Sequence, residues 1–140
     1  MRASEIGIDQ VAVVKVPQIT TAVGDLAVVD GVGPHPFAPK RVFYLYDVPS
    51  GSDRGAHAHK ECHQFLVAVS GAFSVEVTDG QHTRVFELNR PTFGLHVPPG
   101  IWAAEVNFSG GAICLVLASH EYDEADYIRD WEEYLIFKNS

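Results

Sequence analysis

Turn-forming residues punctuate this chain at short, regular intervals, and the runs between them are too brief and too rich in β-branched and aromatic residues for helices. The breaks fall at Pro49-Ser50-Gly51, Gly71, Asn89-Arg90-Pro91, Pro98-Pro99-Gly100 and Ser109-Gly110-Gly111. Strands are expected at Val11–Val16, Leu26–Asp30, Arg41–Val48, Gln64–Ser70, Phe93–Val97, Trp102–Phe108 and Ala112–Ser119. Two alternating segments, Phe73–Thr78 and Gln81–Leu88, flank Asp79-Gly80, the signature of a hairpin closed by a tight type I′ turn. Many short strands at such spacing predict an all-β sandwich or barrel. At 140 residues it is one domain, residues 1–140, with enough chain for a single core.

Two segments break the rhythm. Gly31–Lys40 carries Pro34, Pro36 and Pro39 and is expected to be an irregular loop. From Asp123 the apolar positions Tyr127, Ile128, Trp131, Tyr134 and Leu135 approach helical spacing, with Asp123 and Glu124 at the end where the helix dipole favours negative charge. A short C-terminal helix packed on the outside of the β body follows.

The net charge of −8 argues against nucleic acid or an anionic membrane surface as a general partner, although a local Arg cluster can still hold an anionic small ligand. Cys62 and Cys114 make no disulfide framework and read as reduced, buried small hydrophobes. No apolar run reaches membrane-spanning length, and Met1-Arg2-Ala3-Ser4-Glu5-Ile6 has no signal-peptide core, so a cytoplasmic location is expected.

Chemistry concentrates at Gly51-Ser52-Asp53-Arg54-Gly55-Ala56-His57-Ala58-His59. Alternate residues of a strand share a face, so both imidazoles enter one space, about 6–7 Å apart along the backbone. The spacing from Gly51 through His57 and His59 to Gly71 resembles the first cupin motif, and Pro98-Pro99-Gly100-Ile101-Trp102-Ala103 with Asn107 resembles the second. That resemblance implies a small β-barrel or jelly roll. Metal-binding cupins draw three His and one Glu from these motifs; here Gln64 stands at the acid position and Ala103 at the third histidine. Two imidazoles without a carboxylate are a poor cage for a divalent ion, and no metal or other cofactor is expected. His63 should face away from Gln64, whereas His96 is the residue that would complete a metal set. Without metal, paired neutral imidazoles suit proton transfer beside a carbonyl.

A narrower resemblance rests on Arg41-Val42-Phe43-Tyr44-Leu45-Tyr46-Asp47, Arg54-Gly55-Ala56-His57-Ala58-His59-Lys60, Gln64, Gly71, Asp79-Gly80, Pro91, Gly94-Leu95, Trp102, Leu115–Ser119, and Tyr122-Asp123-Glu124-Ala125-Asp126-Tyr127-Ile128-Arg129. Over about residues 41 to 135 the chain resembles the WxcM-like nucleotide-sugar 3,4-ketoisomerases that act on dTDP-4-keto-6-deoxyglucose. The resemblance implies that the keto group moves from C4 to C3 through an enediol without metal or organic cofactor. His59 would carry the proton, assisted by His57 and Tyr44. Arg54, Gln64, Trp102, Arg41 and Lys60 would bind substrate, and Arg54 would pair with the diphosphate or orient the histidines. It also implies a homodimer in which the N-terminal strands, residues 1–30, are exchanged.

The chain departs from the family at two positions. Thr21-Ala22-Val23-Gly24-Asp25-Leu26 has no arginine where relatives carry Asp-x-Arg-Gly-x-Leu, and Ala103 stands where they carry His or Arg. In the family these positions bear on product configuration at C4. They leave two alternatives to the isomerase: a nucleotide-sugar-binding cupin without turnover, and a metal-dependent cupin using His96.

Overall fold

In a computed structural model the chain is described over residues 1–29 and 37–140. The strands are β1 (Ala12–Lys15), β2 (Gln18–Thr21), β3 (Gly24–Ala27), β4 (Arg41–Leu45), β5 (Arg54–His59), β6 (Gln64–Ser70), β7 (Phe73–Thr78), β8 (Thr83–Leu88), β9 (Phe93–Val97), β10 (Trp102–Val106), β11 (Ile113–Ala118) and β12 (Tyr127–Ile128). One helix, α1 (Trp131–Lys138), follows. Two antiparallel sheets, ordered β1-β9-β6-β11-β4 and β12-β5-β10-β7-β8, face each other, while β2 and β3 form a separate hairpin. This is the expected all-β cupin body with a short C-terminal helix.

Strand alternation sorts every side chain between the inside and the outside of the body. Leu66, Ala68, Val75, Val77, Leu95, Val97, Cys114 and Val116 join one buried core between the sheets, with Phe43, Leu45 and Ala103 packed against it. The intervening residues Phe65 and Val67 of β6 lie on the outer face with Val16 and Leu117. Ala58, Ile128 and Tyr134 form a third cluster, covered by Trp102, Leu135 and Phe137, where α1 lies on the second sheet. Burial of each large apolar side chain contributes about 1.5–3 kcal/mol.

Three local features differ from expectation. The β7–β8 connection is a four-residue loop, with Thr78 paired to Thr83 and the Asp79 N–H donating to the His82 carbonyl. Asp79 shapes that loop itself: its Oδ1 accepts from the N–H groups of Gln81 and His82, and its Oδ2 accepts from Ile8 N–H. A side chain able to satisfy three backbone donors favours this wider loop over a two-residue turn. The helix starts at Trp131, capped by Asp130, whose carboxylate accepts from Glu133 N–H. Before it, Asp123 caps a single 3-10 turn at Glu124–Asp126, and Tyr127–Ile128 pair with β5. Strand pairing at β5 overrides the helical spacing read from Asp123. Finally, β3 begins at Gly24, earlier than the predicted Leu26–Asp30, and pairs with β2. The end of that predicted strand and most of the predicted 31–40 loop lie outside the described residues.

Among the described residues the β2–β3 hairpin pairs with neither sheet, and all its strand residues are exposed, including Ile19 and Leu26. Both cysteines are free and buried, as expected. No helix among the described residues is long and apolar enough to cross a membrane.

Candidate active site

β5 carries the histidines. Ala58 is fully buried under α1 on its outer side, so His57 and His59 project to the inner side. Their rings meet edge to face with centroids 4.9 Å apart. Ala103 of β10 pairs with His57, and Tyr127 of β12 pairs with His59. The Tyr127 ring lies 5.0 Å from His57 and 4.4 Å from His59, so three rings share one end of the space between the sheets.

Opposite them, Arg41 and Gln64 flank Ala118 across β4, β11 and β6. Gln64 is buried on the same face as Leu66, and Arg41 on the same face as Phe43. Arg41 Nη1 donates to the Tyr127 hydroxyl at 3.5 Å, a long hydrogen bond. The Arg41 guanidinium also lies 5.2 Å from the Phe43 ring and 5.7 Å from Tyr122. Arg129 covers Tyr127 at 4.2 Å and pairs with Glu124 through two contacts of 2.7 and 3.0 Å. Arg41 and Arg129 thus set local positive charge in a chain whose net charge is negative.

Asp126 orients His59. Its Oδ2 lies 2.8 Å from His59 Nδ1 and also accepts from Cys62 N–H, while Oδ1 accepts from Glu61 N–H. The carboxylate therefore fixes a neutral ring with its proton on Nδ1, leaving Nε2 as an acceptor. His59 Nε2 is buried without a hydrogen-bond partner among the described residues, and so is Arg41 Nε. Buried polar atoms of this kind are costly unless a ligand satisfies them.

Electrostatics keep both rings neutral. Burial, then the charges of His59, Arg129 and Arg41, lowers the His57 pKa to about 4. Burial also lowers that of His59, only partly opposed by Asp126. At Asp126, burial acts upward, but donation from His59, Glu61 and Cys62 outweighs it and leaves the carboxyl below its usual range.

Among the described residues, His59, Cys62 and Asp126 offer ligand atoms within 4.8 Å of one another. Both Asp126 oxygens already accept hydrogen bonds there, so a metal would have to displace donors that hold the dyad.

The structure brings His57, His59 and Arg41 together around Tyr127, buries Gln64 on the inner face of the opposite sheet, and sends the other expected residues elsewhere. Tyr44 lies on the outer face of β4, 59% exposed, against Tyr46; it alternates with Arg41 and Phe43 and does not reach the histidines. Trp102 alternates with Ala103 and points outward, packing 5.3 Å from Trp131 and 5.4 Å from Tyr134; it is a wall of the helix–sheet interface, not of the site. Arg54 and Lys60 are exposed at the two ends of β5. His96 alternates with the inward Leu95 and Val97, and lies beyond the opposite face beside His63, Nε2 to Nδ1 2.9 Å. It cannot join His57 and His59, and His63 faces away as expected. Val23 stands at the hairpin tip, 97% exposed. Asp126, Tyr127 and Arg129 were missed as site residues. Their signal lay in the Tyr122–Arg129 run, which holds an acid, an aromatic and a cation close together.

Fold and site together define a cupin-type barrel with an interior histidine pair poised for proton transfer. The chain belongs to the family described as FdtA (WxcM-like, C-terminal), whose model matches residues 9–139. It is 36% identical over 122 residues to the TDP-4-oxo-6-deoxy-alpha-D-glucose-3,4-oxoisomerase of Aneurinibacillus thermoaerophilus, covering 87% of this chain and 88% of that one. The crystal structure of QdtA, a sugar 3,4-ketoisomerase of Thermoanaerobacterium thermosaccharolyticum in complex with TDP, is similar at TM-score 0.91 and 35% identity, over 94% of this chain and 96% of that one. A histidine-to-asparagine mutant of QdtA, in complex with TDP-4-keto-6-deoxyglucose, is similar at TM-score 0.87 and 36% identity, over 90% and 91% of the two chains.

Proposed function

We propose that this chain is a 3,4-ketoisomerase of TDP-4-keto-6-deoxyglucose, working without a metal or organic cofactor. The observation that carries the proposal is the His57–His59 pair inside the barrel, with Asp126 bound to His59 and the far nitrogen of that ring unpartnered. Keto migration needs one carbon-bound proton removed and another delivered to the neighbouring carbon. In the first half, His59 Nε2 takes the proton from C3. The C–H electron pair forms the C3–C4 double bond and leaves the C4 oxygen as an enediolate. In the second half, the C3 hydroxyl passes its proton to the C4 oxygen, the C3 oxygen becomes the keto group, and C4 receives the proton held on the imidazolium. Neutral rings at pH 7 are the form this step needs.

Arg41 and Tyr127 lie where they would stabilise negative charge on the enediolate oxygens, and Gln64 can donate to or accept from a sugar hydroxyl. Arg54 begins β5, five residues before His59, about 16 Å away in an extended strand. That position suits the diphosphate rather than the reacting carbons, and exposed Lys60 adds charge at the other end of the strand. Tyr44 has no part at the reacting carbons in this arrangement. His57 is the alternative base, favoured by its being the more open ring of the two.

The exposed apolar residues of the β2–β3 hairpin support a homodimer formed by exchange of the N-terminal segment; a cytoplasmic location is proposed separately, from the sequence. Incubation with TDP-4-keto-6-deoxyglucose tests the function: a 3-keto product detected by NMR is the expected result. Binding of TDP and the sugar nucleotide with no change in the sugar would leave a binding protein.

A further inference from the structure

One buried charge-capable group plays no part in this chemistry. Glu105 lies on β10 two residues beyond Ala103 and on the same inward face. It is 8% exposed, and its Oε2 has no hydrogen-bond partner among the described residues. On β5 the residue paired with Glu105 is Arg54; the register slips between this pair and Ala103–His57, and at Gly55, with φ +81°, an added Cβ would overlap Glu105 Oε2. The fold therefore makes room for this carboxyl beside the strand that carries the histidines. Ala103, directly across from His57 on the same strand as Glu105, is small and half-buried.

An apolar residue would be cheaper here. On β7, Val75 pairs with Glu105, and Cys114 of β11 is the titratable group facing it across the core. Arg54 on β5 acts on Glu105 through its charge, yet no ion pair between them forms among the described residues. A buried carboxyl oxygen left without a partner is destabilising unless something outside the chain satisfies it.

We propose that Glu105 contacts the substrate, its carboxyl hydrogen-bonding a hydroxyl or keto oxygen of the bound sugar from the inner face of β10. The inference rests on the ketoisomerase reading and adds a residue that selects the sugar rather than the nucleotide. Burial raises the Glu105 pKa to about 7, against smaller opposing effects of its own backbone N–H and of Arg54, so the acid form donates at and below neutral pH. Above it the carboxylate can only accept, and a keto oxygen loses its donor.

Calorimetric binding of TDP and of TDP-4-keto-6-deoxyglucose to the intact protein tests this, comparing wild type, Glu105→Leu and Glu105→Gln from pH 6 to 8.5. Glu105→Leu is expected to weaken the sugar nucleotide on the order of tenfold and leave TDP unchanged. Wild type should lose affinity for the sugar nucleotide as pH rises through 7. Glu105→Gln, which keeps an N–H donor, should bind it without that pH dependence. Equal sugar-to-TDP affinity ratios in wild type and Glu105→Leu would overturn the inference. If the leucine variant fails to fold, a glutamine variant with the pH dependence of wild type would overturn it instead. Wild type that binds neither compound would overturn the ketoisomerase reading as a whole, a result separable from either of these.

Discussion

Asp126 and His59 are 67 residues apart in sequence and 2.8 Å apart in space, Oδ2 to Nδ1. The contact exists because β12 pairs with the last residues of β5, Tyr127 with His59 and Ile128 with Ala58. It is reinforced by Lys60 N–H donating to the Asp126 carbonyl. A three-residue turn capped by Asp123 delivers the carboxylate to that place. The pairing does for His59 what strand alternation alone cannot: it sets the tautomer and the direction of the free nitrogen.

Replacing Asp126 by Asn should therefore affect turnover more than binding. The amide is isosteric but favours the wrong tautomer when it presents its NH2 to Nδ1, so kcat should fall at least about 100-fold while KM changes little. Steady-state kinetics with TDP affinity measured alongside checks this. A parallel loss of TDP binding would mark Asp126 as merely structural.

The neutral histidines predict an acid-labile fold. Their pKa values lie below the ordinary value of 6.5, so the unfolded chain binds more protons, and stability falls as pH drops below 6.5 towards 4. The carboxylate of Asp126, lowered in the fold, adds to the loss at the acid end. His57→Asn should flatten the decline of Tm between pH 6.5 and 4. An unchanged slope would show that His57 is charged or solvated in the fold.

Glu105 predicts the opposite sign. Its pKa rises from 4.5 to about 7, so the folded chain binds more protons between those values and stability falls as pH rises through them. Glu105→Gln should be more stable than wild type at pH 8 by up to about 3 kcal/mol and equal to it at pH 4.5. Denaturant titrations at the two pH values measure the difference.

Trp102 is assigned to the interface between the second sheet and α1. Trp102→Ala should cost about 3–5 kcal/mol of stability by opening a cavity against Trp131 and Tyr134. The fraction that remains folded should bind TDP with wild-type affinity. A loss of affinity without a loss of stability would return Trp102 to the ligand site.

The body of the fold was legible because strand alternation and turn residues are local signals. They placed β6, β7, β9 and β10 and put His57 and His59 on one face. Tyr44 and Trp102 show where that legibility ended. Each lies next to an inward residue in sequence, and whether a strand position faces in or out is decided by which neighbours cover it, which no local pattern states. The C-terminal run failed for a related reason: Tyr127 and Ile128 have apolar spacing compatible with a helix, and only the edge of β5 makes them a strand. Asp126 reaches His59 only through the pairing of β12 with β5, and Glu105 is set by its neighbours on β5 and β7, so strand alternation alone assigned neither.

The central claim is that the histidine pair carries hydrogen between neighbouring sugar carbons. NMR of TDP-4-keto-6-deoxyglucose incubated in deuterium oxide with wild type and with the His57→Asn, His59→Asn double variant tests it most directly. Wild type should form the 3-keto product with deuterium at carbon, and the double variant should bind TDP yet give neither product nor exchange. Product formation by the double variant at a rate near that of wild type would contradict the account.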